Sequence, residues 1–246
     1  MQLSHSRNHS RYPPYLPSDH SAKSHPYGPL GLLDVYQYNL RPTVNLFPWM
    51  SPVEDQRKFN DCTAEATAGA LEYSLRRYHN ITKDVSRLFI FWVCARLEHP
   101  RVGHMDDEAW LPEAIYGLVK YGFCFEGVGE HIEENFGVKP LTRAFDEAKT
   151  RTIVPIHIAP YLYCMKRCLN YDRPFLISFN LKLLHKHDMI IINQGRAKGP
   201  PLPIDHTTGK QQDQYHVVLV IGYDDQTQLF LVRNSWGKGW VCFYLD

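Results

Sequence analysis

The sequence has almost no net charge and no long apolar run, and these two absences limit the partners that it can have. Its 246 residues include 27 basic and 26 acidic side chains, a formal net charge of +1. Such a balance carries no electrostatic sign of a nucleic-acid or membrane-surface partner. No apolar run, including those at 217–222 and 189–192, approaches the about 18–20 residues that a membrane span requires. We therefore expect neither nucleic acid nor a membrane as a partner.

The N-terminus also lacks the apolar core of a secretory signal peptide, because residues 1–25 are polar and rich in histidine, serine and proline. The protein is therefore either cytosolic or numbered from after a removed signal. Five prolines before residue 40 argue against regular helix or strand there. This stretch is either a flexible tail or an inhibitory pro-segment that lies along a cleft.

The six cysteines do not form an evident disulfide or metal pattern. They are Cys62, Cys94, Cys124, Cys164, Cys168 and Cys242. If Cys62 is a free nucleophile, the other five cannot all pair within the chain. Cys164 and Cys168 lie on one face of a predicted helix, which is poor disulfide geometry, and no further ligand stands near them. We favour structural cysteines over a disulfide or a metal site, and we expect no metal and no cofactor.

A mostly helical first half precedes a β-rich second half, and the apolar content of 44% suits a soluble globular protein. Asp61 stands where a helix is capped. The patterns predict helices at 62–78, 86–97, 111–121, 145–150 and 161–169. They predict strands at 174–180, 215–223 and 229–234, and a long polar surface loop at 194–214.

Four residues occur in the chain order of a thiol protease site: Gln56, Cys62, His216 and Asn234. A cysteine can attack, a histidine can take its proton, an asparagine can hold the imidazole ring, and a glutamine amide can bind an oxyanion. The start of a helix favours a thiolate at Cys62. Trp236 would shield the His216–Asn234 bond from water. Taken singly, each residue has a structural alternative: a buried cysteine, a packed histidine, a turn-forming asparagine or a solvated glutamine.

These residues and their surroundings resemble the papain-like cysteine peptidases, the papain and cathepsin family, and most of all its microbial members. The likeness extends over the runs at 52–56, 62–64, 70–73, 86–90, 120–122 and 232–237. Residues 43–46 are similar to the start of the mature enzyme in this family. The resemblance therefore covers residue 43 to the end.

The resemblance implies an α+β, two-lobed fold with the active-site cleft between the lobes. A mostly helical lobe would span about 55–150 and an antiparallel, β-barrel-like lobe about 151–246. Residues 43–246 would form the peptidase domain, and residues 1–42 an N-terminal extension that serves as an inhibitory pro-segment in a zymogen. It also implies hydrolysis of a peptide or protein substrate through a thioester acyl-enzyme, and secretion or a lytic compartment. We expect a monomer.

Two departures from the family pattern keep other functions open. The family usually has Gly-Ser before its cysteine, whereas this chain has Asn60-Asp61, and a few loop residues are missing after Trp240. The charge of Asp61 opposes thiolate formation at Cys62 and is expected to raise the pKa of His216. One alternative is therefore a weak or inactive binding protein on the same fold. Another is an acyl-transfer or deamidase enzyme that uses the same Cys–His pair.

Overall fold

The computed structural model describes residues 39–56, 59–98, 111–127, 138–180, 189–191, 195–197, 215–237 and 242–245. Of the predicted N-terminal extension at 1–42, all but 39–42 lies outside the described residues. So do most of the predicted loop at 194–214 and residues 238–241, whereas residues 242–245, which follow Trp240 in the C-terminal departure, are described.

Helices occupy much of the described chain between residues 62 and 170. They are α1 (Cys62–His79), α2 (Arg87–Glu98), α3 (Leu111–Tyr121), α4 (Thr142–Ala148) and α5 (Leu162–Asn170). All five predicted helices are confirmed, with ends that differ by up to three residues. None of these helices is long and apolar enough to cross a membrane.

Helix α1 lies between two apolar clusters because one stretch of it carries small side chains. Ala64 and Ala68 are fully buried in the cluster that α1 forms with α2 and α3. Tyr73, two turns further on, is buried in the second cluster, which lies against the sheet. Small side chains let neighbouring elements approach α1 closely at interior packing density. The helix is therefore shared by the helical lobe and the β-rich lobe.

The strands form one antiparallel sheet. They are β1 (Thr43–Asn45), β2 (Phe175–Asn180), β3 (Met189–Ile191), β4 (Gly195–Ala197), β5 (Tyr215–Asp224), β6 (Leu229–Arg233) and β7 (Cys242–Leu245). Their order is β1-β5-β6-β7-β3-β4, and β2 also pairs with β5. β2 pairs with residues 215–220 of β5 and β1 with residues 222–224. The long β5 strand is thus the centre of the sheet.

The expected barrel-like closure of this sheet is wrong for the described strands. β1 and β2 share one edge of β5, and β4 at the opposite end is three residues long. These two ends of the sheet do not pair with each other, so the sheet stays open. The helical lobe and the antiparallel sheet are nevertheless both present.

The predicted loop at 194–214 is also wrong where the structure describes it. Gly195–Ala197 forms β4 and pairs with Met189–Ile191 of β3. A strand of three residues is too short to show the alternation of apolar and polar side chains by which strands are recognised in a sequence. The three predicted strands are confirmed as β2, β5 and β6, whereas β1, β3, β4 and β7 were not predicted.

Gly122 ends α3 at a place where no other residue fits without strain. Its φ is +76°, and a Cβ there would lie 2.0 Å from the carbonyl oxygen of Ala148 and 2.4 Å from that of Arg151. Its N–H donates to the carbonyl of Leu118 at 2.9 Å. The glycine therefore permits both the left-handed turn after α3 and the close contact with the end of α4.

We expect Gly122→Ala to lower the free energy of unfolding by at least about 2 kcal/mol, because it adds a backbone clash to an unfavourable φ. Gly127→Ala is the matched control: φ there is +93°, but nothing lies within 4 Å of the added Cβ. That variant should lose only the backbone term, about 1 kcal/mol. Urea unfolding of both variants measures the difference, and equal losses would contradict the close contact.

Candidate active site

The four predicted site residues lie on four separate segments. Cys62 is the first residue of α1, and His216 is the second residue of β5. Asn234 follows the last residue of β6. Gln56 lies in the segment between β1 and α1, and its backbone N–H donates to the carbonyl of Ser235 at 2.9 Å. The packing of α1 against β5 therefore brings together residues that are far apart in the sequence.

The thiol of Cys62 lies beside the start of β5. It is half-buried, and the backbone N–H of Val217 hydrogen-bonds to it. Since Val217 directly follows His216, this contact places the thiol next to the histidine.

The His216 ring is held on three sides. Its Nε2 lies 2.8 Å from Asn234 Oδ1, which also accepts the backbone N–H of Ser235 at 2.9 Å. An amide oxygen can only accept, so Nε2 carries the proton and Nδ1 keeps its lone pair. Trp236 stacks on the ring at 4.7 Å between centroids, and Phe179 meets it edge-on at 6.0 Å. The ring orientation is therefore fixed by both a hydrogen bond and packing.

The side chain of Gln56 is also held in one orientation. Its Nε2 donates to the carbonyl of Phe59 at 2.8 Å, and its Oε1 accepts from the hydroxyl of Ser235 at 2.5 Å. The second amide hydrogen makes no hydrogen bond to the described residues. It is available to a negative oxygen that forms at the site.

Ser235 is a site residue whose role the sequence did not reveal. Its hydroxyl fixes Gln56, its backbone N–H binds the Asn234 side chain, and its carbonyl accepts from the Gln56 backbone. One residue thus sets the relative position of the two side-chain amides. Its place directly after Asn234 was the only available signal, because the partner is distant in sequence.

Burial acts against charge on both reacting groups. Desolvation is the main cause that raises the pKa of the Cys62 thiol to about 11, and the Asp61 carboxylate raises it further, against hydrogen bonds from Val217 and Thr63. Desolvation lowers the pKa of His216 to about 4, although the bond to Asn234 opposes this. The neutral thiol and neutral imidazole are therefore favoured at rest.

Three sequence-based expectations about these charges need correction. The helix start was expected to favour a thiolate, but burial and Asp61 dominate and raise the thiol pKa. Asp61 was expected to raise the pKa of His216, whereas burial lowers it. Asp61 does occupy the N-cap position of α1, but its side chain makes no capping hydrogen bond there.

Neither a metal site nor a disulfide is found in the described part of the chain. No group of three or more His, Cys, Asp or Glu residues there is arranged to hold a metal ion. The five cysteines whose side chains are described are free thiols, and all of them except Cys62 are buried. The side chain of Cys242 lies outside this set.

Comparison with known proteins points to the family that the sequence resembles. The family model for papain family cysteine proteases matches residues 203–242, which include His216 and Asn234. An uncharacterised peptidase C1-like protein of Acanthamoeba polyphaga mimivirus is 27% identical in an alignment over 217 residues that covers 82% of this chain and 65% of the viral protein. The chain thus spans slightly less than two thirds of that relative.

Two solved structures share the fold. Xylellain, a cysteine protease from Xylella fastidiosa, matches with a TM-score of 0.64 and 26% identity, over 83% of this chain and 79% of that one. A digestive procathepsin L 3 from the larval midgut of Tenebrio molitor matches with a TM-score of 0.55 and 19% identity, over 83% and 63%. The second likeness shows the fold alone. The predicted resemblance to the papain-like cysteine peptidases and the two-lobed α+β fold are confirmed.

We expect Asp61→Asn to increase the reactivity of Cys62 near neutral pH. The carboxylate raises the pKa of the thiol, so removing its charge while keeping its shape should move that pKa downward and increase the thiolate fraction. The rate of alkylation by iodoacetamide, measured from neutral to alkaline pH, reports the shift. Asp84→Asn, at an exposed position, is the control and should leave the profile unchanged. An Asp61→Asn profile that matches the wild type would refute the charge effect.

Proposed function

We propose that this chain hydrolyses peptide bonds through the thiol of Cys62. Its fold is that of the papain-like cysteine peptidases, and its sequence resembles theirs. The observation that carries the proposal is the His216 ring, held by Asn234 at 2.8 Å directly beside the residue whose N–H binds that thiol. A buried imidazole with one nitrogen committed to an amide oxygen presents its other nitrogen as a base. This is the arrangement that activates a nucleophile.

The first step forms the thioester. The proton of the Cys62 thiol passes to Nδ1 of His216 while the sulfur attacks the carbonyl carbon of the substrate. The resulting negative oxygen accepts hydrogen bonds from the backbone N–H of Cys62 and from Nε2 of Gln56. The imidazolium then gives its proton to the leaving amine, the C–N bond breaks, and an acyl group remains on the sulfur.

The second step restores the thiol. His216 takes a proton from water, and the hydroxide oxygen attacks the thioester carbonyl carbon. The C–S bond breaks, the carboxylic acid product leaves, and the proton held by His216 returns to the sulfur. Substrate and water thus supply every atom of the products, and no cofactor is needed.

The low polarity of the site supports proton transfer within the Cys62–His216 pair. Burial disfavours a thiolate alone and an imidazolium alone, as the two pKa directions show. Transfer of one proton from sulfur to ring creates both charges together, and their attraction is strong where water is excluded. Trp236 covers the ring, and Asn234 stabilises the imidazolium because its oxygen accepts the Nε2 proton.

The peptidase domain would begin near residue 43, with residues 1–42 as its pro-segment. The N-terminal end of the described domain is firmly attached: Arg41 donates to the backbone of Asn170 at 2.7 Å and pairs with Asp172 at 3.0 Å. β1 then joins the central strand β5. A solved neighbour is a procathepsin, a precursor form. These facts support a peptidase domain that stays folded when the residues before Arg41 are removed.

A second candidate function is a binding protein that keeps the fold but has little catalytic activity. It is favoured by one observation: the resting thiol has its pKa raised to about 11 by burial and by Asp61. If proton transfer to His216 does not offset the free-energy cost of forming a buried thiolate, Cys62 stays a neutral thiol. The cleft can still hold a peptide in that state.

We expect Cys62→Ala to abolish peptide hydrolysis with little loss of stability, because the half-buried thiol is replaced by a smaller side chain. His216→Ala should lower kcat more than Asn234→Ala, because the ring transfers the proton and the amide only orients it. Turnover of a mixed peptide library before and after substitution measures these effects, with thermal unfolding as the control for folding. Equal losses in the last two variants would count against an orienting role for Asn234.

Labelling with an epoxysuccinyl cysteine-protease inhibitor, followed by intact-mass analysis, tests the proposed activity and the pro-segment together. The full chain and a chain that starts at Arg41 are compared, with Cys62→Ala as the blank. Stoichiometric labelling of only the trimmed chain is the result expected for a zymogen. Labelling of both would mean an active enzyme with a tail that does not inhibit. Labelling of neither would favour the binding protein.

A further inference from the structure

Arg233 is a buried cation next to the residue that holds His216. It is the last residue of β6, it precedes Asn234, and only 2% of its surface is exposed. Its Nη2 donates to the carbonyl of Pro52 at 2.7 Å and to the hydroxyl of Ser51 at 3.3 Å. The guanidinium therefore joins the end of β6 to the segment that leads to Gln56.

Helix α1 makes room for this guanidinium at Gly69. A Cβ at that position would lie 2.5 Å from Nη1 and 3.1 Å from Cζ of Arg233. A glycine inside a helix costs stability relative to alanine, so its presence here has a packing reason. Arg233 thus passes between α1 and the segment at residues 51–52.

The contacts of Arg233 continue into a buried ionic network. The Ser51 hydroxyl donates to Glu72, whose carboxylate also accepts the Val85 N–H at 2.9 Å and pairs with Arg87 at 3.1 Å. Arg87 pairs in turn with Glu65 at 2.8 Å. Both carboxylates are fully buried, and Arg87 is 3% exposed.

Charges buried this deeply persist only while their partners stay in place. Burial alone lowers the pKa of the Arg87 guanidinium, but Glu65 and Glu72, with Glu54 at the surface, raise it above its ordinary value. The charged groups therefore fix one another, and a small displacement of any of them is costly. Such a network holds its backbone attachments in one arrangement.

This network is attached to three of the four segments that carry the candidate site, all except β5. Glu65 lies one helical turn after Cys62 on α1. Pro52 lies in the segment that ends at Gln56. Arg233 is bonded directly to Asn234. The network is thus a buried connection beneath the four site residues, formed by side chains that do not themselves reach the reacting atoms.

We propose that Arg233 is a positioning residue: its guanidinium, bound to Pro52 and Ser51 in the space left by Gly69, sets the place of the Asn234 amide on His216. The inference rests on the proposed role of the His216–Asn234 pair. Loss of the guanidinium leaves β6 paired with its neighbours but removes the constraint on its last residue. The Asn234 oxygen then holds the ring less well, and Cys62 loses reactivity.

The test is a double-mutant cycle on the full chain with Arg233→Met, Asn234→Ala and the combination. Met keeps the apolar stem and removes the donors. We expect Arg233→Met to slow alkylation of Cys62 by iodoacetamide near neutral pH by about tenfold, a coupling normal for residues in contact. In the Asn234→Ala background the same change should have little further effect. If the chain hydrolyses peptides, Arg233→Met should also lower kcat, with little change in KM and with little further effect in the Asn234→Ala background.

Arg77→Met is the matched control. Arg77 pairs with Asp172 at 3.2 Å, away from the site, so its loss should leave the alkylation profile unchanged whatever it does to stability. An Arg233→Met protein that unfolds at a lower temperature, but alkylates as the wild type does while folded, would overturn the proposal. So would a slowing that is the same with and without Asn234.

Gly69→Ala keeps the proposal testable if Arg233→Met does not fold. The added methyl should displace the guanidinium and slow alkylation, although alanine favours the helix. In an Asn234→Ala background the same change should have little further effect on alkylation. A Gly69→Ala protein with wild-type alkylation would refute the positioning role. Because these measurements use a small alkylating reagent, they succeed or fail independently of peptide hydrolysis, whose absence would refute the proposed function instead.

Discussion

The packing of α1 against strand β5 is the contact on which the rest of the structure depends. The helix supplies Cys62 at its first residue, and the strand supplies His216 at its second. Neither element has a local reason to place these side chains together. The small side chains of α1 allow it to lie between the helical cluster and the sheet, and the N–H of Val217 then meets the thiol. The position of the candidate site is therefore a consequence of core packing.

The same burial that builds the site also opposes its chemistry. A dry environment holds the thiol and the imidazole neutral at rest, and Asp61 adds a charge of the wrong sign beside the sulfur. That environment also strengthens the attraction between the two charges once a proton has moved. In the proposed function, the balance between these effects would decide whether peptides are hydrolysed or only bound. Asp61 acts on this balance through its charge beside the sulfur.

Much of the fold and the identity of the candidate site residues could be predicted from the sequence, because both rest on local patterns. The helix after Cys62, the end of α3 at Gly122 and the order of Gln56, Cys62, His216 and Asn234 are readable within short windows or as a motif. The short strand β1 could not be predicted, since its partner β5 lies far away in the chain, and β4 could not because three residues show no alternation. The lowered pKa of His216 was missed because it follows from burial that only the fold creates.

The buried charged side chains show why an apolar core alone does not hold the candidate site residues in exact positions. An apolar interior tolerates repacking as long as volume is conserved, so by itself it would hold Asn234 only loosely. Glu65, Glu72, Arg87 and Arg233 have directional partners, and each has one low-energy position relative to the others. Buried ion pairs contribute little net stability and are costly when one partner is removed. Their presence under the site is therefore better explained by a need to hold the site residues in one arrangement than by a gain in stability. Gly69 serves the same need, because it lowers the helix propensity of α1 but leaves space for the Arg233 guanidinium.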